Sequence, residues 1–503
     1  MNIVSNIIRE KSQWWLKYKD PIISARWKQE IQTKIHENDL GDPELEFIFD
    51  ELEWFAERRQ EQVDSGKEVT VDVGVEGTRR ADGLIPEALK QRLVECVKKL
   101  EDDWHPGSNR QVLDLVHPSL FPFVVGRTRV TMDEAIPALE SIGAGEIMDK
   151  MPIPGKLSKI YYSDKFQWLP TDFDVTPEGK VKAKSYINNL HPEEHKDMYP
   201  VVEEILEKFL PMFEEVVGEM AVFVEKAKKL SVEGDWYPNL PHFGSQDSNA
   251  EELYYENREP NPLHIPKFSP PKDIPHYDLR THRHDKPLQV IVKLANIELT
   301  PKNPKYTGGA WHVEGMANEN IAATGIYYYH SENISESRLN FRIQVKEPMY
   351  EQGDRNGVGH MYDLWNEEPL AQELDGVITK QDRCLVFPNI YQHQVQPFQL
   401  EDDTQPGSRK ILVFFLVNPE TPTPLSTTHV PPQQKAWAAE ELTQVIAEKL
   451  PPEVLRGIDL LVDWPMNLEE AKGHRKELMK ERKYFVKTME KKVFARPFSL
   501  CEH

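Results

Sequence analysis

Cysteine is scarce in this chain of 503 residues: there are three, Cys96, Cys384 and Cys501, odd in number and far apart. Neither a disulfide framework nor a zinc knuckle can be assembled from them, so a reducing compartment is expected. Long apolar runs are also missing. No stretch approaches the roughly twenty residues that a membrane-spanning helix needs. The opening MNIVSNIIREKSQWWLKYKD lacks the apolar core and small-residue cleavage site of a signal peptide. A soluble, cytoplasmic protein without a membrane partner is expected. Positive charge is outnumbered, with 61 Lys and Arg against 83 Asp and Glu and a formal charge of −22. That balance argues against the broad basic surface that nucleic acids demand. The glycine signatures of the main nucleotide folds, G-x-G-x-x-G and G-x-x-x-x-G-K-[ST], do not occur.

What is present suffices for two or three domains with real cores. Residues 1–110 read as a helical region. Glu44–Gln62 carries Leu45, Phe47, Ile48, Leu52 and Phe55 on roughly one helical face, and a second helix runs from Pro86 to about Asp103. The SGKEVTVDVGVEGTRRADG segment between them reads as a polar, turn-rich linker. Past Val116 the texture becomes β-branched and aromatic, in LFPFVVGRTRV (120–130) and KFQWLPTDFDV (165–175). A helix with an apolar stripe then spans about Pro192 to Leu230, where Pro211 is expected to kink or split it. The Pro-, His- and Asn-rich stretch 240–286 reads as ordered loops or a lid, with HRHD at 282–285 as exposed loop side chains.

Five strands are expected next: 288–299, 321–330, 338–345, 376–389 and 409–419. Short, regularly spaced and punctuated by Gly, Pro and Asn, they predict an α+β protein whose antiparallel sheets form a sandwich or jelly roll. The domain built on these strands would span 111–420, with a helical tail at 421–503. The charged final helix, NLEEAKGHRKELMKERKYFVKTMEKKVF, is expected to present a solvated face.

The chemistry lies in TGGAWHVEG, Thr307 to Gly315. With 17 histidines and 83 acidic residues, about three His-x-Asp/Glu triplets would arise by chance; five occur, at His191, His195, His276, His312 and His330. Only His312-x-Glu314 follows a strong strand, and residues two apart in extended chain point to the same side. A second histidine could be His360 or His393. The latter sits just after the apolar strand Cys384–Phe387. Arg409 then opens the most apolar strand of the chain, where a guanidinium needs an anionic partner. His312, Glu314 and His393 together make the two-imidazole, one-carboxylate face that suits Fe(II), with zinc as the competing ion. Arg409 would anchor the far carboxylate of a 2-oxoacid.

These residues resemble the Fe(II)/2-oxoglutarate-dependent oxygenase superfamily, on GG-A-WHVE, LVFPN…H-Q-V-x-P-F and G-S-R-K-I-L within Leu288–Pro419. Over nearly its whole length the chain further resembles a large fungal family known only as a domain of unknown function. That likeness rests on HPSLFPFVVGRTRV, SYINNLHPEEH, WHVEGMANENIAATGIYYY, ESRLNF and SLCEH. The resemblance implies a double-stranded β-helix core at 288–419, with Fe(II), 2-oxoglutarate and O₂ acting on a small-molecule substrate. It departs from the usual pattern at Glu314, where Asp is common, and in a long His393–Arg409 interval that keeps Lys410 open as the anchor. A carboxylate at 314 argues against a halogenase. Similarity to prolyl-hydroxylase-like members implies that Tyr328 hydrogen-bonds the co-substrate carboxylate; ordinary strand packing is the alternative. Arg338 and Arg342 are expected to face solvent. Two rival classes remain, a cupin-like zinc protein without oxidation chemistry and an interaction scaffold.

Overall fold

The computed structural model describes residues 2–34, 41–64, 71–100, 104–105, 107–132, 137–152, 160–228, 248–257, 267–270, 277–280, 286–345, 357–362, 364–423, 425–446 and 464–497, with isolated positions between 451 and 457. Helices α1 (Asn2–Arg9), α2 (Trp14–Lys17), α3 (Pro21–Lys34) and α4 (Asp42–Asp64) gather around Trp14, Trp27, Ile48 and Leu52. The α4 stripe buries Leu45, Ile48, Leu52 and Ala56, the one-face pattern its sequence predicts.

The centre is a nine-stranded sheet whose pairings are all antiparallel. Its strands are β1 (Val71–Asp72), β2 (Arg79–Asp82), β3 (Val112–Val116), β4 (Thr171–Val175), β5 (Val181–Ala183), β6 (Leu288–Leu299), β7 (Ile321–Glu332), β10 (Arg383–Pro388) and β12 (Gly407–Val417). They lie in the order β1-β2-β10-β7-β12-β6-β4-β5, with β3 also paired to β6. A second sheet of three strands joins β8 (Ser337–Gln344), β9 (Ala371–Thr379) and β11 (Gln392–Val395), with β8 in the middle. The expected run 376–389 divides into two strands, one per sheet, at the turn before Arg383.

Strand alternation sorts the large sheet's residues onto two faces. Val290, Val292, Leu294, Leu412, Phe414 and Leu416 pack with α5 (Glu87–Val97) and α6 (Met198–Lys228) in one core. Ile291, Ile326, Tyr328, Val413 and Phe415 face the other way, toward Leu339 and Phe341 of the small sheet. Phe341 meets Phe387 edge-on at 5.1 Å between ring centroids. The two sheets therefore enclose a core between them, while α6 covers the outer face.

Three expectations change. The 65–83 linker supplies β1 and β2, because its arginines are buried against acids: Arg79 binds Glu215 at 2.9 Å and Glu219 at 2.6 Å. Helix α6 is not split at Pro211 but continues through it. The C-terminal helix α7 (Leu468–Met489) is not simply solvated; Ala471 and Leu478 join the inter-sheet core, and its arginines are drawn in by buried acids. HRHD and His276 fall outside the described residues.

Candidate metal centre

Two glycines bring the His312 segment against β11. Gly308 has φ of 87°, and a Cβ there would lie 2.8 Å from the Val395 carbonyl oxygen. Only glycine accepts both that backbone and that approach. Gly309 N then donates to Val395 O at 2.9 Å. Farther along, His312 N donates to His393 O at 3.2 Å and His393 N donates to His312 O at 2.9 Å, an isolated antiparallel bridge. Directly opposed residues place their side chains on one side, and the two imidazole centroids are 4.4 Å apart.

Glu314 follows two residues on. Its backbone is bracketed by Asn389, whose Oδ1 accepts from Glu314 N and whose Nδ2 donates to Glu314 O, both at 2.9 Å. Glu314 Oε1 lies 3.6 Å from His312 Nε2 and 3.4 Å from His393 Nε2. The Ala310 carbonyl meets His312 Nδ1 at 2.7 Å, which leaves Nε2 as the free ring nitrogen. Among the described residues, one donor atom from each of His312, Glu314 and His393 falls within 4.8 Å of the others. The His393 side chain is 4% exposed and that of His312 33%, so the cluster is open on the His312 side.

Burial would lower His312, but the hydrogen bond and charge of Glu314 hold it above the usual imidazole value. Burial alone would raise the Glu314 carboxyl, but hydrogen bonds and charge from His312 and His393 hold it well below the usual carboxylate range. Burial and then the neighbouring His312 push His393 down, toward the neutral form that ligates metals.

Arg409 is buried, 3% exposed, on the face of β12 that carries Val413 and Phe415. Its Nε and Nη1 have no hydrogen-bond partner among the described residues, and neither does the buried Tyr328 hydroxyl. The guanidinium sits 4.9 Å from the Tyr328 ring centroid and 5.5 Å from that of Phe398. Lys410, one residue on, points to the opposite side of the strand by alternation. Tyr328 shares its inter-sheet cluster with Phe387, whose ring packs on His393 at 4.9 Å.

The other named residues fall elsewhere. His360 is on a short helix, Gly357–Tyr362. His191 caps a turn, its Nδ1 accepting from Glu193 N and Glu194 N. Arg338 pairs with Glu336 near the surface, but Arg342 is buried: it binds Gln392, pairs with Glu490 and stacks on Trp311 at 4.6 Å. A second gathering, His105, Asp114 and His117, lies where β3 meets β6. Its Asp114 Oδ2 is already shared by His105 Nδ1 at 2.6 Å and Arg475 Nη1 at 3.6 Å. Burial pushes His117 down to about 3, so it stays neutral. With Arg475 compensating the carboxylate, that cluster is a poor host for a dication. Sequence reasoning missed Asn389, although a polar residue closing the apolar strand LVFPN was the visible signal.

A family model described as "Protein of unknown function (DUF4246)" matches residues 42–441. The chain belongs to that family. Among solved structures it is similar to an Fe(II)/α-ketoglutarate-dependent dioxygenase, TqaL, with 11% identity, 73% of this chain and 87% of that one covered, and a TM-score of 0.26. It is similar too to IDO from Bacillus thuringiensis (10% identity, 26% and 45% covered, TM-score 0.16). A third is a bsmA homolog from Methylobium petroleophilum (8% identity, 28% and 44% covered, TM-score 0.18). The family member spans less than half the length of these last two. No curated protein matches. Among the described residues, no helix is long and apolar enough to cross a membrane.

Proposed function

We propose that this family member is an Fe(II)/2-oxoglutarate-dependent oxygenase acting on a C–H bond of a small molecule, its two sheets forming a double-stranded β-helix. His312, Glu314 and His393 would hold the iron, and Arg409 with Tyr328 would take the distal carboxylate of 2-oxoglutarate. When bound, iron supplies the oxidising chemistry, drawing on O₂ and on the decarboxylation of 2-oxoglutarate to succinate and CO₂.

The chain's own residues bind, orient and exclude water. Glu314 contributes the anion that offsets part of the metal charge, and Ala310 O and Asn389 fix the ligands' directions. Leu385, Phe387, Val413 and Phe415 supply a dry wall, in which Arg409 recognises a carboxylate far more strongly than it would in water.

The observation that carries this reading is the buried Arg409 guanidinium beside Tyr328, with two of the guanidinium nitrogen atoms having no hydrogen-bond partner among the described residues. Such donors are costly unless a ligand completes them. Neither a zinc protein nor a scaffold requires them. The test is succinate release from 2-oxoglutarate by the iron-loaded protein in air, without primary substrate. Slow, iron-dependent release that His393→Ala abolishes is expected. No release, with zinc retained through purification, would favour the zinc reading instead.

A further inference from the structure

A cavity of about 270 Å³ lies between the α1–α2 turn, α4, β2 and the β9–β10 turn. Its lining concentrates cations in a chain that is strongly acidic overall. Arg9, Arg59, Arg80 and Lys380 face Glu10 and Asp82 there. A fifth cation, Arg383, is fully buried and draws on both acids, at 3.0 Å from Glu10 and 2.7 Å from Asp82. Glu10 is shared with Arg80 and Asp82 with Lys380. Lys11, also at the rim, is answered by Glu30. Arg9 aside, four cations, Arg59, Arg80, Lys380 and Arg383, stand against two carboxylates, an excess of two positive charges among the described residues.

Arg59 shows where the deficit falls. Its Nε and Nη1 are buried and have no hydrogen-bond partner among the described residues. Its guanidinium lies over the Trp15 ring at 4.6 Å, which fixes the plane of the donors. The crowding registers elsewhere: burial, then the charge of Arg383, push Arg80 down to about 9. Buried guanidinium groups without counter-charge are expensive, and a fork of free N–H donors matches carboxylate or phosphate oxygens. The volume is several times the roughly 30 Å³ that a water occupies in the liquid. It admits a phosphate or a small polycarboxylate.

We propose that this cavity is an anion-binding site, separate from the metal centre, for a compact ligand that bears two or more negative charges on phosphate or carboxylate oxygens. The site does not depend on the oxygenase reading.

Calorimetric titration of the full-length, metal-loaded protein in a chloride background tests it, with inorganic phosphate and citrate as probes. Saturable binding of at least one probe at a single site is expected. Arg59→Ala should weaken it about tenfold, through loss of charge-assisted hydrogen bonds. Lys380→Met, at a half-exposed position that does not threaten the fold, should weaken it less. Arg409→Ala should leave it intact, which separates this site from the proposed co-substrate pocket. Phosphate alone binding would mark a phosphate-bearing ligand, and citrate alone a polycarboxylate. No saturable binding of either probe would overturn the proposal, as would binding unchanged in both Arg59→Ala and Lys380→Met.

Discussion

Arg409 is the residue whose behaviour separates a binding group from a structural one. A buried arginine that only supported the fold would be paired, and its removal would destabilise the protein. Here Nε and Nη1 lack partners among the described residues, so Arg409→Met should stabilise the protein free of co-substrate by on the order of 1 kcal/mol. Urea unfolding with and without 2-oxoglutarate checks this. The stabilisation that 2-oxoglutarate confers on the wild type should vanish in the variant. Asn389 should behave oppositely. It touches no candidate ligand atom but brackets the Glu314 backbone from both sides. Asn389→Ala should cost about 1–3 kcal/mol of stability and weaken metal affinity about 10- to 100-fold, as read by competition with a chelator. His-x-Glu was legible in the sequence because its geometry is local. Asn389 acts from 75 residues away, and although its place at the end of LVFPN is visible in the sequence, its pairing with Glu314 is not.

At the scale of elements, the long strands were legible because runs such as LQVIVKLANIEL and KILVFFLV suit a pleat covered on both faces. Helix α4 announced itself by its stripe. The strands β1 and β2 did not, since Arg79, Arg80 and Asp82 read as surface when their partners, Glu215, Glu219, Glu10 and Arg383, are distant in sequence. The same blindness hid Arg342. The β2 edge makes a pH prediction. Burial alone would raise the Asp82 carboxyl, but Arg383, and then Lys380, hold it down at about 2. A depressed carboxyl contributes stability that is complete above its ordinary pKa, near 4, and is lost as pH falls toward 2. The melting-temperature gap between wild type and Asp82→Asn should therefore be constant from neutral pH to about 4 and close below it. A gap that persists to pH 2 would mean that Asp82 is not the group being protonated.

At the scale of the molecule, α7 ties the C-terminal segment to the core near the candidate centre. Arg482 binds Glu319 at 2.6 Å, and Glu319 also accepts from Trp168 N and Met316 N, two residues beyond Glu314. Glu319 is fully buried. Arg482→Met leaves that carboxylate without counter-charge and should cost about 3 kcal/mol. The half-exposed Arg92–Glu204 pair is the control, and Arg92→Met should shift stability by no more than about 0.5 kcal/mol. A similar cost at both positions in chemical unfolding would contradict the picture of α7 as a docked wall. The tail's role was hidden in the sequence because its inward arginines are indistinguishable from its outward lysines until the buried acids are placed.

Whether His312, Glu314, His393 and Arg409 form one Fe(II)/2-oxoglutarate site is decided by anaerobic titration. The apo protein receives Fe(II) and then 2-oxoglutarate while the visible absorption of the iron chelate is followed. A weak charge-transfer band is expected in the wild type, with none in His393→Ala and about a hundredfold more 2-oxoglutarate required in Arg409→Ala. A wild-type protein that binds iron but develops no band, or an Arg409→Ala curve that overlays the wild type, would contradict a single site.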